Sequence, residues 1–336
     1  MTFEGSVKHL FILNPRSFRI SREIGQVIAS IESCFESLGH MEYELYVSRY
    51  PRDAIGIIHT AIKTVPKDTI VRVYALGGDG ILFDCLNGLV GFENTELAIV
   101  PYGIINDFVR AFGEQKEFFF RDIKAQAQAG TLPTDIINCK GNYALNFCTI
   151  GMESDAAARA RGMRRSMENG ALPLRRFYYG LSRYMYPLGR FLAALNKKIT
   201  GQWYEIDIDG EVLCGNFRDI SIANGSCHGG KRAAMPDTVP DDGLLDIIIS
   251  KSCGLLKTLS FISPCFKGEY GKYPFDFIIK QGKKISIRSK QPLLITIDDE
   301  TFYDTDFTVE LIPSAVNIVA AYGFTYERRS GLSEKR

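Results

Sequence analysis

Between Val7 and Thr131 short apolar runs alternate with amphipathic stretches, and no other feature narrows the possible folds as much. His9–Leu13, Tyr43–Ser48, Ile70–Leu76 and Leu97–Val100 have the length and residue types of buried strands. Glu23–Leu38, Asp53–Val65 and Ile81–Leu89 repeat their apolar positions at helical spacing. Strands alternating with helices predict βα units and a mostly parallel sheet covered on both faces. Ligands of such sheets bind beyond the carboxyl ends of the strands. Three turns fall there: Asn14-Pro15, Gly77-Gly-Asp-Gly80 and Tyr102–Asp107.

The glycine turn leads from an apolar strand into Ile81-Leu-Phe-Asp-Cys-Leu-Asn87. Strand, glycine turn and helix in that order set backbone N–H groups and a helix N-terminus around a phosphate. Asp79 would repel that phosphate unless it holds a metal ion or accepts a proton. A tight turn requiring positive φ accounts for the glycines equally well. Asn106 and Asp107 open the next helical stretch, where their side chains either cap it or face a ligand.

After Leu132-Pro133 the texture changes to short segments, several divided by turns: Ala144–Thr149, Trp203–Asp209, Glu211–Cys214, Arg218–Ala223, Leu245–Ile249, Phe275–Ile279, Lys284–Arg288 and Leu293–Ile297. Asp209-Gly210, Asp242-Gly243 and Gln281-Gly282 mark turns between them, and an antiparallel β-sandwich is the expectation. The apolar Val316–Tyr322 reads as a further buried strand. One stretch departs from this. Ala156–Thr200 carries ten Lys or Arg residues, among them Arg175, Arg176 and Arg183, against a single acid, Glu168, in a chain whose whole net charge is +1. Its interleaved aromatic and aliphatic residues suit one helix, or two divided near Pro187. Such a helix either lies in an anionic membrane interface or covers the domain with a solvated basic face. Nucleic acid is not expected as a partner, because no base- or groove-reading module is present.

A chain of 336 residues with 46% hydrophobic and 24% charged residues has ample core for two globular domains. No apolar run is long enough to span a bilayer, and the first residues lack a signal-peptide layout, so a cytoplasmic protein is expected. The eight cysteines include no Cys-x-x-Cys pair and read as reduced core residues.

Gly77-Gly-Asp-Gly80, then Asn87-Gly88, then Pro101-x-Gly-x-x-Asn-Asp-Phe-x-Arg110 resemble the diacylglycerol kinase catalytic-domain superfamily. Asn14-Pro-x-Ser17, Asn146-Phe-x-x-x-Gly151, Ala223-Asn-Gly225, Gly229-Gly230, Pro236, Asp242-Gly243-x-Leu-Asp246 and Ile297-Asp-Asp-Glu300 keep that family's order. The resemblance implies a nucleotide-binding α/β domain over 1–132, NAD-kinase-like, to which 311–330 returns, and a β-rich lipid-substrate domain over 133–310. It places a nucleotide cleft between them. It implies ATP and Mg as cofactors, with Asn14, Ser17, Gly77, Gly78, Gly80, Gly103, Asn106 and Asp107 binding the nucleotide. Glu300 and Asp79 would be catalytic. Glu300 would act near the transferred phosphate or the acceptor hydroxyl, and Asp79 would serve the nucleotide, the metal or the base role itself. Asp242 would join a structural metal site, although Asp242-Gly243 also reads as a hairpin turn. The partners implied are a lipid substrate and a transient membrane surface, with a homodimer left open.

Several positions depart from the family pattern. Ile81 and Ile104 stand where a hydroxyl residue is usual, Phe18 and Arg19 alter the first loop, Asp84 replaces Glu, and Asp299 replaces Gly. Two readings result: a lipid kinase transferring the γ-phosphate of ATP to diacylglycerol or a related lipid, or a catalytically weakened member that binds nucleotide or lipid. A soluble substrate of the NAD-kinase kind is a third, less well matched by the Tyr102–Arg110 loop.

Overall fold

The computed structural model describes residues 6–17, 21–39, 42–103, 105–113, 115–168, 172–195, 201–229, 234–298 and 300–328. The chain separates into two compact units, one of residues 1–134 and 314–327 and one of residues 135–313 and 328–336.

The first unit is built as βα repeats: β1 (Val7–Leu13), α1 (Ser21–Ser37), β2 (Tyr43–Val47), α2 (Asp53–Thr64), β3 (Ile70–Gly77), α3 (Asp79–Leu89), β4 (Thr95–Pro101) and a short α4 (Ile123–Ala127). β1 pairs in parallel with β2 on one side and β3 on the other, and β3 pairs in parallel with β4. Right-handed βα crossovers leave both faces of this sheet to helices, which is why β3 and β4 are apolar almost throughout. Phe11, Leu13, Tyr74, Leu76, Ala98 and Val100 pack with Val27, Ile31 and Phe35 of α1 to form one core. A charged side chain inside β3 is satisfied locally. Arg72 pairs with Glu96 at 2.6 Å and donates to the carbonyls of Gln126, Ala127 and Ala129, at and just beyond the end of α4.

The second unit is antiparallel. In chain order it holds β5 (Thr131–Cys139, entering from the first unit), β6 (Asn142–Ala144), β7 (Phe147–Gly151), α5 (Met152–Glu168), α6 (Leu172–Ala194), β8 (Gln202–Ile208), β9 (Glu211–Ala223), β10 (Leu245–Lys251), α7 (Leu255–Ser260), α8 (Ile262–Phe266), β11 (Phe277–Gly282), β12 (Lys284–Ile297) and β13 (Glu300–Val319). β9 and β12 are longer than the sequence pattern suggests. The segments Glu211–Cys214 and Arg218–Ala223 are one strand, and Lys284–Arg288 and Leu293–Ile297 are another, interrupted by an irregularity. Each is shared: β9 pairs with β8 through its first half and β7 through its second, and β12 does the same. Long strands that change partner midway turn the corners of a sandwich. The interior is dense with isoleucine, including Ile206, Ile220, Ile247, Ile285, Ile287 and Ile295. β13 ends in the first unit, where Ile318 lies parallel to Leu97 of β4.

The basic segment forms two packed helices, and the break is not at Pro187. Pro187 lies inside α6, and the chain leaves helix α5 at Glu168, well before it. The two helices cross closely at Gly189, where a Cβ would stand 2.6 Å from the Ala156 carbonyl oxygen. Among the described residues no helix is long and apolar enough to cross a membrane.

Candidate active site

The turns after β1, β3 and β4 meet at the carboxyl ends of the parallel strands of the first unit. The strand register sets Gly77 opposite Pro101, so the Gly77–Gly80 turn and the loop after β4 leave the sheet side by side. The Gly77 carbonyl accepts the N–H groups of Tyr102 (3.0 Å) and Gly103 (2.9 Å), and the Ile105 carbonyl accepts the Asp79 N–H (3.2 Å). The loops then touch through bare backbone. A Cβ on Gly103 would stand 2.2 Å from the Gly78 Cα, a separation only two glycines permit.

Asp79 is the first residue of α3, and its carboxylate accepts the Asp107 N–H through both oxygens, at 3.0 and 3.2 Å. The acid that made no sense beside a phosphate therefore ties the two loops together while standing half-buried at a helix N-terminus. Gly80 follows it in the first turn of α3. Asn106 is buried and donates to the Gly103 carbonyl (2.9 Å) and to Glu117 (3.0 Å), whose other oxygen pairs with Arg110 at 3.0 Å. Asn106 thus shapes its own loop. Glu117 was not singled out from sequence; it belongs to no motif, and only the folded loop brings it to Asn106. Asp107 is buried beside it.

Asn14 holds the first loop by accepting the Arg16 N–H at 3.0 Å, while its own N–H bonds to the Leu76 carbonyl at 3.1 Å. Ser17 reaches the glycine turn, its Oγ lying 2.7 Å from where a Gly77 Cβ would be. Ile81 is a core residue, 2% exposed and packed against Gly77. Asp84 accepts the Arg52 N–H at 2.8 Å and so fastens the start of α2 to α3. Ile104, Phe18, Arg19 and Asp299 lie outside the described residues.

Glu300 and Asp242 belong to the second unit. Glu300 is half-buried at the start of β13 and faces Ile297 of β12 in the register. Asp298, just after β12, adopts φ 42°, and its carboxylate accepts the N–H groups of Leu145 (2.8 Å), Asn146 (3.2 Å) and Phe147 (2.9 Å). From α5, Arg161 donates to the Thr301 hydroxyl at 2.8 Å and to the Asp298 carbonyl at 3.3 Å. The hairpin carrying Glu300 is held from both sides.

Asp242 accepts the Leu244 N–H at 3.0 Å, closing a local turn at the end of the long β9–β10 loop instead of a hairpin. Burial, reinforced by the nearby Asp246, Asp135 and Asp241 carboxylates, pushes its carboxyl above the ordinary range, against the lowering effect of the Leu244 N–H. Asp135 and Asp246 are themselves engaged, by the Gly243 N–H and by Thr238 and Gln281. Among the described residues no three such side chains converge as a cation site, and the metal expectation for Asp242 finds no ligand set there.

Residues 8–139 match the model of the diacylglycerol kinase catalytic domain, and residues 174–320 match that of the YegS C-terminal NAD kinase beta sandwich-like domain. The chain belongs to the diacylglycerol kinase catalytic-domain superfamily. Staphylococcus aureus proteins of strains Mu3 and Newman, each named "Putative lipid kinase", are 26% identical to it over 309 residues, 89% of this chain and 92% of each relative. Two solved structures from Bacillus anthracis share its fold. One, described as a "putative diacylglycerol kinase", has a TM-score of 0.71 at 22% identity, covering 96% of this chain and 99% of the other. The second, described as a diacylglycerol kinase, has a TM-score of 0.66 at 20% identity, covering 95% and 98%. Within this superfamily the Gly77–Gly80 turn and the Gly103–Asp107 loop fall inside the catalytic-domain match, and Glu300 falls inside the sandwich match.

Proposed function

We propose that the protein is an ATP- and Mg-dependent lipid kinase that transfers the γ-phosphate to a hydroxyl of diacylglycerol or a related lipid. One observation carries this reading: Asp79 joins the glycine turn to the Gly103–Asp107 loop at the N-terminus of α3, beyond the carboxyl ends of parallel strands. That arrangement suits a triphosphate, whose oxygens take the positive end of a helix and backbone N–H groups. A carboxylate at such a place has the chemistry of a hard-cation ligand, and Asp79 is the residue that would hold magnesium. The ion supplies neutralisation of the triphosphate charge when bound. The acceptor hydroxyl oxygen forms a bond to the γ-phosphorus as the bond to the β-phosphate oxygen breaks. The hydroxyl proton passes to a carboxylate, for which Glu300 on its braced hairpin is the candidate.

The burial of Ile81 favours the kinase reading over a weakened member. As a core residue packed on Gly77, it does not occupy the space of a ligand.

Labelled γ-phosphate transfer from ATP and GTP to a panel of lipids in detergent micelles tests the proposal. Asp79→Asn keeps an oxygen able to accept the Asp107 N–H but removes the charge, so activity should fall roughly a hundredfold or more with little change in melting temperature. If no lipid is labelled while nucleotide still binds, the kinase reading fails.

A further inference from the structure

Between Tyr184 and Leu195, helix α6 buries Met185, Tyr186, Ala193 and Ala194 and still carries a second row of large apolar side chains on its outer face. Tyr184, Leu188, Phe191, Leu192 and Leu195 recur at helical spacing and are all exposed, Leu188 by 47% and Phe191 by 43%. The one charged residue of this stretch, Arg190, is 4% exposed. It pairs with Glu153 of α5 at 3.2 Å, Tyr186 donates to the same carboxylate, and the guanidinium lies over the Phe266 ring. A helix covering a globular domain buries its apolar stripe and solvates its charges. Here the charge is spent on fastening the helix inward, and the outward face is a row of large hydrophobes.

α7 packs beside α6, and Leu255 and Leu256 are exposed on it, Leu256 by 85%. This many exposed large apolar side chains on two packed helices mark a binding face. The sequences of α5 and α6 together carry eight arginines against three acids, Glu153, Asp155 and Glu168.

We propose that the outer face of α6, together with Leu255 and Leu256 of α7, docks the enzyme on an anionic lipid bilayer, the apolar row entering the acyl boundary and the net positive charge of the helical pair favouring anionic headgroups. The choice of a lipid surface rests on the lipid-kinase reading above. Apolar insertion combined with positive charge is the chemistry of interfacial helices, and a bilayer satisfies both parts of this surface. A second copy of the chain would meet the apolar row with an identical one, but would also bring the two basic segments together.

The test is co-sedimentation of the full chain, without nucleotide, with phosphatidylcholine vesicles and with vesicles containing phosphatidylglycerol. Wild type should bind the anionic vesicles more tightly. Leu188→Glu with Leu192→Glu, and separately Leu255→Glu with Leu256→Glu, should each lower the partition on the order of tenfold or more. Melting temperatures unchanged in either pair separate lost docking from lost folding. Wild-type-like sedimentation by both folded pairs overturns the proposal, as does a wild-type dimer in solution that the substitutions dissociate while vesicle binding persists. Because the readout is binding, it can fail while micellar phosphoryl transfer succeeds, and transfer can fail while docking stands.

Discussion

His9 shows how one side chain makes the first unit sensitive to acid. It is fully buried in β1, with Nδ1 2.8 Å from the Tyr74 hydroxyl and its ring edge-on to Phe35. Burial, with the Arg72 guanidinium adding to it, lowers its pKa to about 4. The native state therefore holds the neutral imidazole, whereas the unfolded chain takes a proton below about pH 6.5. Stability is fully present above that value and is lost as pH falls toward 4, by roughly 2–3 kcal/mol between about pH 7.5 and 4.5. Urea unfolding at the two pH values should show this loss, and His9→Gln should show a smaller one. Asp79 teaches a related lesson. Its residue type and position were readable from the chain, but its bond to the Asp107 N–H depends on a second loop 28 residues away.

The hairpin between β12 and β13 is a device of a different size. Asp298 gathers three N–H groups of the segment entering β7, and Arg161 reaches the same turn from α5. Asp298→Ala leaves those donors without their acceptor and should cost about 2–4 kcal/mol by chemical denaturation. If Glu300 acts as proposed, kcat should fall further than for a surface control. A kcat equal to wild type in the folded variant would separate the hairpin from the chemistry. At this scale the sequence was a partial guide. The βα elements of the first unit were legible because their apolar periods are long and distinct. The corners of β9 and β12 were not, because a strand that changes partner keeps no single alternation. Proline interrupts an isolated helix, so the sequence leaves open one helix or two divided near Pro187, yet packing of α6 against α5 carries the helix past it.

For the whole molecule, linkage supplies the prediction. A non-transferable ATP analogue with magnesium, at about a hundred times its Kd, should stabilise the protein by roughly 2.7 kcal/mol, or about 4 °C in melting temperature. Running GTP beside it reports the donor preference, and no shift with either nucleotide would remove the nucleotide from the site. The sequence by itself determined the two fold classes, the family and the turns at the strand ends, since these depend on local periodicity, on glycine and on motif order. Only the tertiary structure decided what the motif residues do for one another: that Gly78 and Gly103 are small because two loops touch there, that Asn106 is held by Glu117, and that Arg190 of α6 is buried while Leu188, Phe191 and Leu192 stay exposed. Each of these is a relation between segments distant along the chain, or between a helix and its surroundings. Spacing along a chain records which residues can share a face, but not which face the core will take.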